Sequence, residues 1–302
     1  MPKPKPATDA ATDAATLSAS DAETATAATA ATAATAPTAS TANPVDTGTP
    51  PSLVINDGLA VITLNRPAQR NRLEDRDLRV LLAHFKRINQ DGSVRVVVLT
   101  ANTQGQPRPV FCAGYNIAEF EGERADAPAF HSIPDAFAAL RPVTICALNG
   151  SVYGGATDLF LASDLRIVLR GAEFRMPAAA LGLHYYASGL QRYVAQLGPV
   201  LAKQLFLTAR AVAVETLVDR GLALGAFDVA GFATELKKLV GEVSALAPLA
   251  AASTKQSINE IGQGNYDLAA ISVREAMTLA SSDFREGCDA FSAKRAARFT
   301  GA

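Results

Sequence analysis

Regular hydrophobic patterning begins only near Ser52; from Met1 to about Pro51 the chain holds almost no large apolar side chain. Leu53-Val-Ile and Leu59-Ala-Val-Ile-Thr-Leu flank Asn56-Asp-Gly58, a strong signal for two antiparallel strands joined by a tight turn. Asn65-Arg-Pro67 ends the second strand, because proline has no amide to give a ladder. Leu73, Leu78, Leu81, Leu82, Phe85 and Ile88 then recur at helical spacing and predict a helix over 73–88. Val94 to Leu99 is a β-branched run of the kind buried on both faces of a sheet. The pattern repeats: Val143 to Leu148 reads as a strand, Ala156 to Ala162 as a buried helix, Leu165 to Leu169 as a strand. Alternating strands and helices predict an α/β domain with a largely parallel sheet. From Gly189 onward the spacing turns helical, over 189–197, 199–207, 213–220, 233–247 and 249–299.

Composition narrows the function. The 302 residues carry 28 Lys+Arg against 29 Asp+Glu, so nothing recommends nucleic acid or an anionic membrane as partner. Hydrophobic residues make up 49%, enough for a sizeable core, yet no uncharged apolar run is long enough to predict a membrane-spanning helix. Cys112, Cys146 and Cys288 are odd in number, far apart and without metal-ligand spacing. They suit buried thiols in a reducing compartment, hence a cytoplasmic protein, and three histidines without a Cys/His cluster predict no metal site. Residues 1–51, rich in Ala, Thr, Ser, Asp and Pro, cannot bury enough surface to offset the entropy of ordering and are read as a disordered tail. A transit peptide fits poorly, because the tract is acidic, lacks Arg and has no amphipathic or signal-type core.

The chemistry centres on Asn149-Gly-Ser-Val-Tyr-Gly-Gly-Ala-Thr-Asp-Leu159, a Gly pair between a strand and a helix. The first amides of a helix lack intrahelical acceptors, so the amide of Gly155 is placed to donate to an oxygen that gains negative charge. A packing junction, with glycine serving only close approach, is the competing reading. No Walker loop, GxGxxG or GxSxG is present.

Four blocks acquire meaning together: Asn65-Arg-Pro-Ala-Gln-Arg-Asn71, Phe111-Cys-Ala-Gly-Tyr-Asn-Ile117, Asn149-Gly-Ser-Val-Tyr-Gly-Gly-Ala156, and the tail from Ser282 to Arg295. In their order and spacing, residues from about 53 to 302 resemble the crotonase (enoyl-CoA hydratase/isomerase) superfamily. The resemblance implies a spiral of ββα turns over 52–245, a helical trimerisation region over 246–302, and homotrimers or dimers of trimers. It also implies an acyl-CoA ligand, with coenzyme A as part of the substrate and no separate cofactor.

By the same resemblance, the amides of Tyr115 and Gly155 form the oxyanion hole for a thioester enolate, while Ala113, Gly114, Asn116 and Ile117 line the thioester and adenine region. Arg70, Arg72, Lys294 and Arg295 lie where CoA phosphates approach, or else form solvated basic faces. Hydratases of the family position water with two glutamates; here the first position holds Asp158 and the second Ala178. The blocks around Gly150–Leu159 and Met176–Gly189 look like those of methylmalonyl-CoA decarboxylases, which lack the second glutamate and place a tyrosine at Tyr185. This chain departs from them at Tyr115, Asn116 and Asp158. Tyr185 would orient a substrate carboxylate, Ala178 and Leu183 would desolvate it, and water, His184 or Tyr186 would return a proton. Decarboxylation of a malonyl-type thioester is therefore the favoured expectation. The alternatives are a hydratase or isomerase using Asp158 as its only carboxylate, and a CoA-binding protein of the same fold without activity.

Overall fold

After an opening hairpin, three successive pairs of strands split between two sheets, one strand to each, and a helix closes each pair. The computed structural model describes residues 48–117 and 128–302, so the expected tail, 1–51, lies outside the described residues but for its last four. β1 (Ser52–Asn56) and β2 (Leu59–Leu64) pair antiparallel with Asn56 opposite Leu59, and Asp57 and Gly58 both take positive φ, as a tight hairpin turn demands. α1 (Asp75–Gln90) follows. The next windings are β3 (Val96–Ala101), β4 (Val110–Cys112) and α2 (Ser132–Ala138), then β5 (Val143–Leu148), β6 (Ser151–Tyr153) and α3 (Ala156–Ala162). The last comprises β7 (Leu165–Leu169), β8 (Glu173–Arg175) and α4 (Ala187–Thr208). The remainder is β9 (Val212–Ala213), α5 (Val214–Asp219), β10 (Ala226–Phe227), α6 (Val229–Ser244), α7 (Pro248–Gly262), α8 (Leu268–Leu279) and α9 (Ser282–Ser292).

The large sheet runs β1-β2-β3-β5-β7-β10 and is parallel from β2 onward; the small one runs β4-β6-β8-β9. Both faces of the large sheet are buried, which explains its unbroken apolar strands. Val97, Leu99, Cys146, Leu148 and Val168 belong to the main core with α1 to α4. Val96, Val98, Ile145, Ala147 and Ile167 point the other way and pack under Phe232, Leu239 and Val243 of α6.

Three expectations change. The single sheet becomes two, because β4, β6, β8 and β9 are too short to show a period of two. The first helix starts two residues late, because Leu73 is taken by a bridge to Tyr115. The helices expected over 189–197 and 199–207 are halves of α4, broken at Gly198 (φ 69°, ψ 162°) just ahead of Pro199. Beyond α6 the helices hardly enter the core: α7 buries only Ser253 and α8 buries no residue, while Ile258, Ile261, Leu268, Val273 and Leu279 stay exposed. No described helix is long and apolar enough to cross a membrane.

Candidate active site

The loop after β4 is held by its partner's main chain. Ala113 N donates to Arg70 O at 2.9 Å, Leu73 N to Gly114 O at 2.8 Å, and Asn116 N to Leu73 O at 2.8 Å. In such a parallel bridge the N–H of the middle residue points away from the partner, so the amide of Tyr115 is turned away from Leu73. Arg70 and Asn71 both sit at φ 53°, a left-handed kink that brings their carbonyls to this loop. Asn71 fixes the kink from inside: its Nδ2 donates to Asn102 O (2.8 Å) and Val110 O (3.1 Å), and its Oδ1 accepts from Arg66 N (2.9 Å). Asn71→Ala should therefore cost about 3 kcal/mol, a fall of roughly 6–12 °C in Tm by thermal unfolding. An unchanged Tm would mean that the kink stands without its side chain.

Gly114, at φ 96°, lets this loop meet the Gly pair. A Cβ there would lie 2.9 Å from Tyr153 O and 3.5 Å from Gly155 N, so only glycine permits the approach. The first α3 bonds run from Thr157 N to Gly154 O and from Asp158 N to Gly155 O, and the Gly155 N–H takes no part in them. The Phe130 ring lies over Gly155, 5.5 Å from the Tyr115 ring and 6.3 Å from that of Tyr186. His131 also faces Tyr186, at 5.7 Å, and the Tyr115 hydroxyl donates to Asp75 at the start of α1. Cys112 is a packing residue: burial pushes its thiol up to about 12, far from a reactive thiolate.

Behind the aromatic rings lies a closed polar chain. Asp158 is 0% exposed and takes both Nε (2.8 Å) and Nη2 (3.0 Å) of Arg192. Tyr186 donates to Asp158 Oδ2 at 2.6 Å, and Tyr185 donates to the Tyr186 oxygen at 2.9 Å. On its far side Arg192 reaches Asp135 at 2.9 Å, which also accepts from Ser188 at 2.9 Å. Burial, reinforced by the Asp158 charge, lifts both phenols well above their usual value, so each stays protonated. Burial alone would lower the Arg192 guanidinium, but the hydrogen bond and charge of Asp158, then those of Asp135, raise it overall.

Two expectations are corrected here. Asp158 is not an open carboxylate, because Arg192 neutralises it and Tyr186 occupies it. Tyr185 does not face the oxyanion loop with a spare donor. Its ring stacks on Tyr186 at 4.1 Å and packs on Tyr193 and Phe206 in the core, while Tyr186 stands nearer the loop. Ala178 is buried in a short 3-10 turn after β8, whereas His184 and Ile117 are exposed. Arg70, His184 and Lys294 make no side-chain hydrogen bond or ion pair among the described residues, and no contact joins them to the chain at Asp158. Cavities of about 780 and 640 Å³ flank α7 and share Arg192 and Lys255, but neither is lined by Tyr115, Gly155 or Tyr186. The candidate site is thus placed by its backbone geometry and not by cavity size.

Residues 54–302 match the enoyl-CoA hydratase/isomerase family model. The chain belongs to that family. A crotonyl-CoA hydratase of Syntrophomonas wolfei is 30% identical over 248 residues, covering 80% of this chain and 94% of that protein. A carnitinyl-CoA dehydratase of Proteus mirabilis is 29% identical over 251 residues, with 80% and 94% covered. Among solved structures, an enoyl-CoA hydratase from Bacillus anthracis superposes with a TM-score of 0.73 at 26% identity, covering 84% of this chain and all of that one. The alternating windings are thus the crotonase fold.

Within this family member, the residues that sequence reasoning missed are Arg192, Asp135, Phe130 and His131. Arg192 left a trace: it falls on the core-facing stripe of α4 with Gly189, Tyr193 and Leu197, where a charge is rare unless paired. Its partner could not be read off, since Asp158 and Asp135 reach it from α3 and α2.

Proposed function

We propose that this enzyme holds a CoA thioester with its carbonyl oxygen between the amides of Tyr115 and Gly155 and releases CO2 from a malonyl-type acyl group. One observation carries the reading: at the two positions where hydratases of the family are expected to carry glutamates, Ala178 offers no acid or base and Asp158 is sealed by Arg192. Losing CO2 breaks the bond between the carboxylate and the α-carbon, and its electron pair becomes the enolate. No base has to remove a proton from carbon; a single proton, taken up afterwards by the α-carbon, completes the acyl-CoA. Catalysis then falls to the oxyanion donors, each worth about 3–4 kcal/mol against the developing charge. The buried ring of Tyr185 and the half-buried rings of Phe130 and Tyr186 keep water from the acyl group and leave the carboxylate poorly solvated, which raises the ground state relative to a transition state with dispersed charge. The uncovered apolar side chains of α7 and α8 support a homo-oligomer, trimeric or hexameric.

A second reading draws on the same polar chain. If a proton moves along Tyr185, Tyr186 and Asp158, the carboxylate can act on water at one remove, and the enzyme hydrates an enoyl thioester. The test is a panel of malonyl-, methylmalonyl-, crotonyl- and β-keto-CoA esters with products read by mass spectrometry. The expected result is CO2 and propionyl-CoA from methylmalonyl-CoA. Water addition to crotonyl-CoA, without CO2 from any malonyl ester, would establish the second reading and discard the first.

A further inference from the structure

The chain that begins at Arg192 has a fixed direction. A guanidinium only donates, and a carboxylate that it neutralises only accepts. Asp158 therefore takes two bonds from Arg192, and Tyr186 has to donate to it. A phenol has one proton, so the Tyr186 oxygen can only accept from Tyr185, and the Tyr185 proton is spent as well. Arg192 is held against turning to release them, because its Nη2 also donates to Asp135, itself steadied by Ser188. On the remaining side Thr157 is bonded to Tyr193, so among the described residues no further hydroxyl competes for Asp158.

We propose that Arg192 is a positioning residue: by pinning Asp158 as an acceptor it turns both tyrosine protons away from the acyl pocket, so that a substrate carboxylate meets phenolic lone pairs and rings instead of a donor. This rests on the decarboxylase reading and gives the tyrosines a role opposite to gripping the carboxylate. A donor there would stabilise the charged ground state more than the transition state, in which the charge has moved towards the thioester oxygen. Withholding the donor favours CO2 loss and weakens binding of the acid.

The signature is a paired fall in kcat and KM when the chain is reversed, which is how the loss of ground-state destabilisation reads, whereas simple loosening of the site raises KM. Asp158→Asn reverses it with little change of shape. Arg192 Nε keeps the amide oxygen, the amide nitrogen gives up the bond from Nη2 and donates to Tyr186, and the phenolic proton must turn outward. With methylmalonyl-CoA, Asp158→Asn is expected to lower kcat and KM together, each about tenfold. At equilibrium, succinyl-CoA, which keeps a carboxylate, should gain about tenfold in affinity over propionyl-CoA, which has none, measured by calorimetry on the full chain. Tyr186→Phe, which cuts the chain without disturbing the ion pair, should shift the same ratio in the same direction. Arg192→Lys should recover part of the activity that Arg192→Gln loses. A higher KM in Asp158→Asn, or an unchanged succinyl-to-propionyl ratio in both Asp158→Asn and Tyr186→Phe, overturns the role of Arg192 while leaving decarboxylation intact. Wild-type enzyme that releases no CO2 from methylmalonyl-CoA overturns both.

Discussion

Arg166→Met should lower Tm by more than about 10 °C, corresponding to about 4 kcal/mol or more for a chain of this size. Arg166 is 8% exposed; its guanidinium lies over the Phe160 ring, 5.4 Å from its centroid, and every hydrogen bond it makes goes to an oxygen. Nε donates to Phe160 O at 2.7 Å, Nη2 to Leu161 O, Ser163 O and Gln196 Oε1 at 2.8, 2.5 and 2.8 Å, and Nη1 to Leu222 O at 3.1 Å. The first three carbonyls lie at or just past the end of α3, where the last carbonyl groups have no intrahelical partner. A methionine fills most of the volume but satisfies none of them; Leu161 O keeps Gln196 Nε2 and Phe160 O the long bond from Ser163 N, while the remaining buried acceptors lose the donor that Arg166 gave them. Circular dichroism on heating checks this, with the exposed Arg170→Met as a control expected to lie within about 0.5 kcal/mol of wild type. Equal melting of Arg166→Met and wild type would show that water reaches those carbonyls. The effect bears on function, because α3 carries Gly155 at one end and Asp158 within it.

Gly155→Ala should cost about 10²–10³ in kcat/KM, the scale of losing one oxyanion donor. Its backbone, at φ −56° and ψ −26°, accepts alanine without strain, so the penalty is steric. The new methyl would lie 2.5 and 2.6 Å from two carbons of the Phe130 ring. Either the ring moves, disturbing its packing on Tyr115 and Tyr186, or the start of α3 moves and carries the amide with it. Gly155→Ala with Phe130→Leu frees that space and should recover at least tenfold, whatever the acyl group. Full activity in the single variant would show that the Phe130 ring gives way to the methyl without displacing the amide of residue 155.

The elements that could be read from sequence were those with a period to show. β2, β3, β5 and β7 are apolar runs, α3 falls on the predicted residues, and the hairpin at Asp57-Gly58 follows from its turn residues. The small sheet was hidden, since three residues of β6 or β8 carry too little pattern to separate strand from loop. At the site, the Gly pair and the loop after β4 were legible because backbone chemistry leaves glycine as its mark. The fate of Asp158 was not. Its type and helix position are the same whether it stands open or is sealed, and the sealing group arrives from Arg192, in another helix. The direction of the tyrosine bonds was equally invisible, because it is set by that pairing and not by the tyrosines.

Three main-chain hydrogen bonds tie residues 70–73 to residues 113–116. In the proposed site, side chains along the acyl pocket can therefore be exchanged without unhitching the two amides, which makes Phe130 the place to vary in a library aimed at new acyl groups. Such a library would keep its catalytic engine while its selectivity drifts, a division of labour that suits directed evolution.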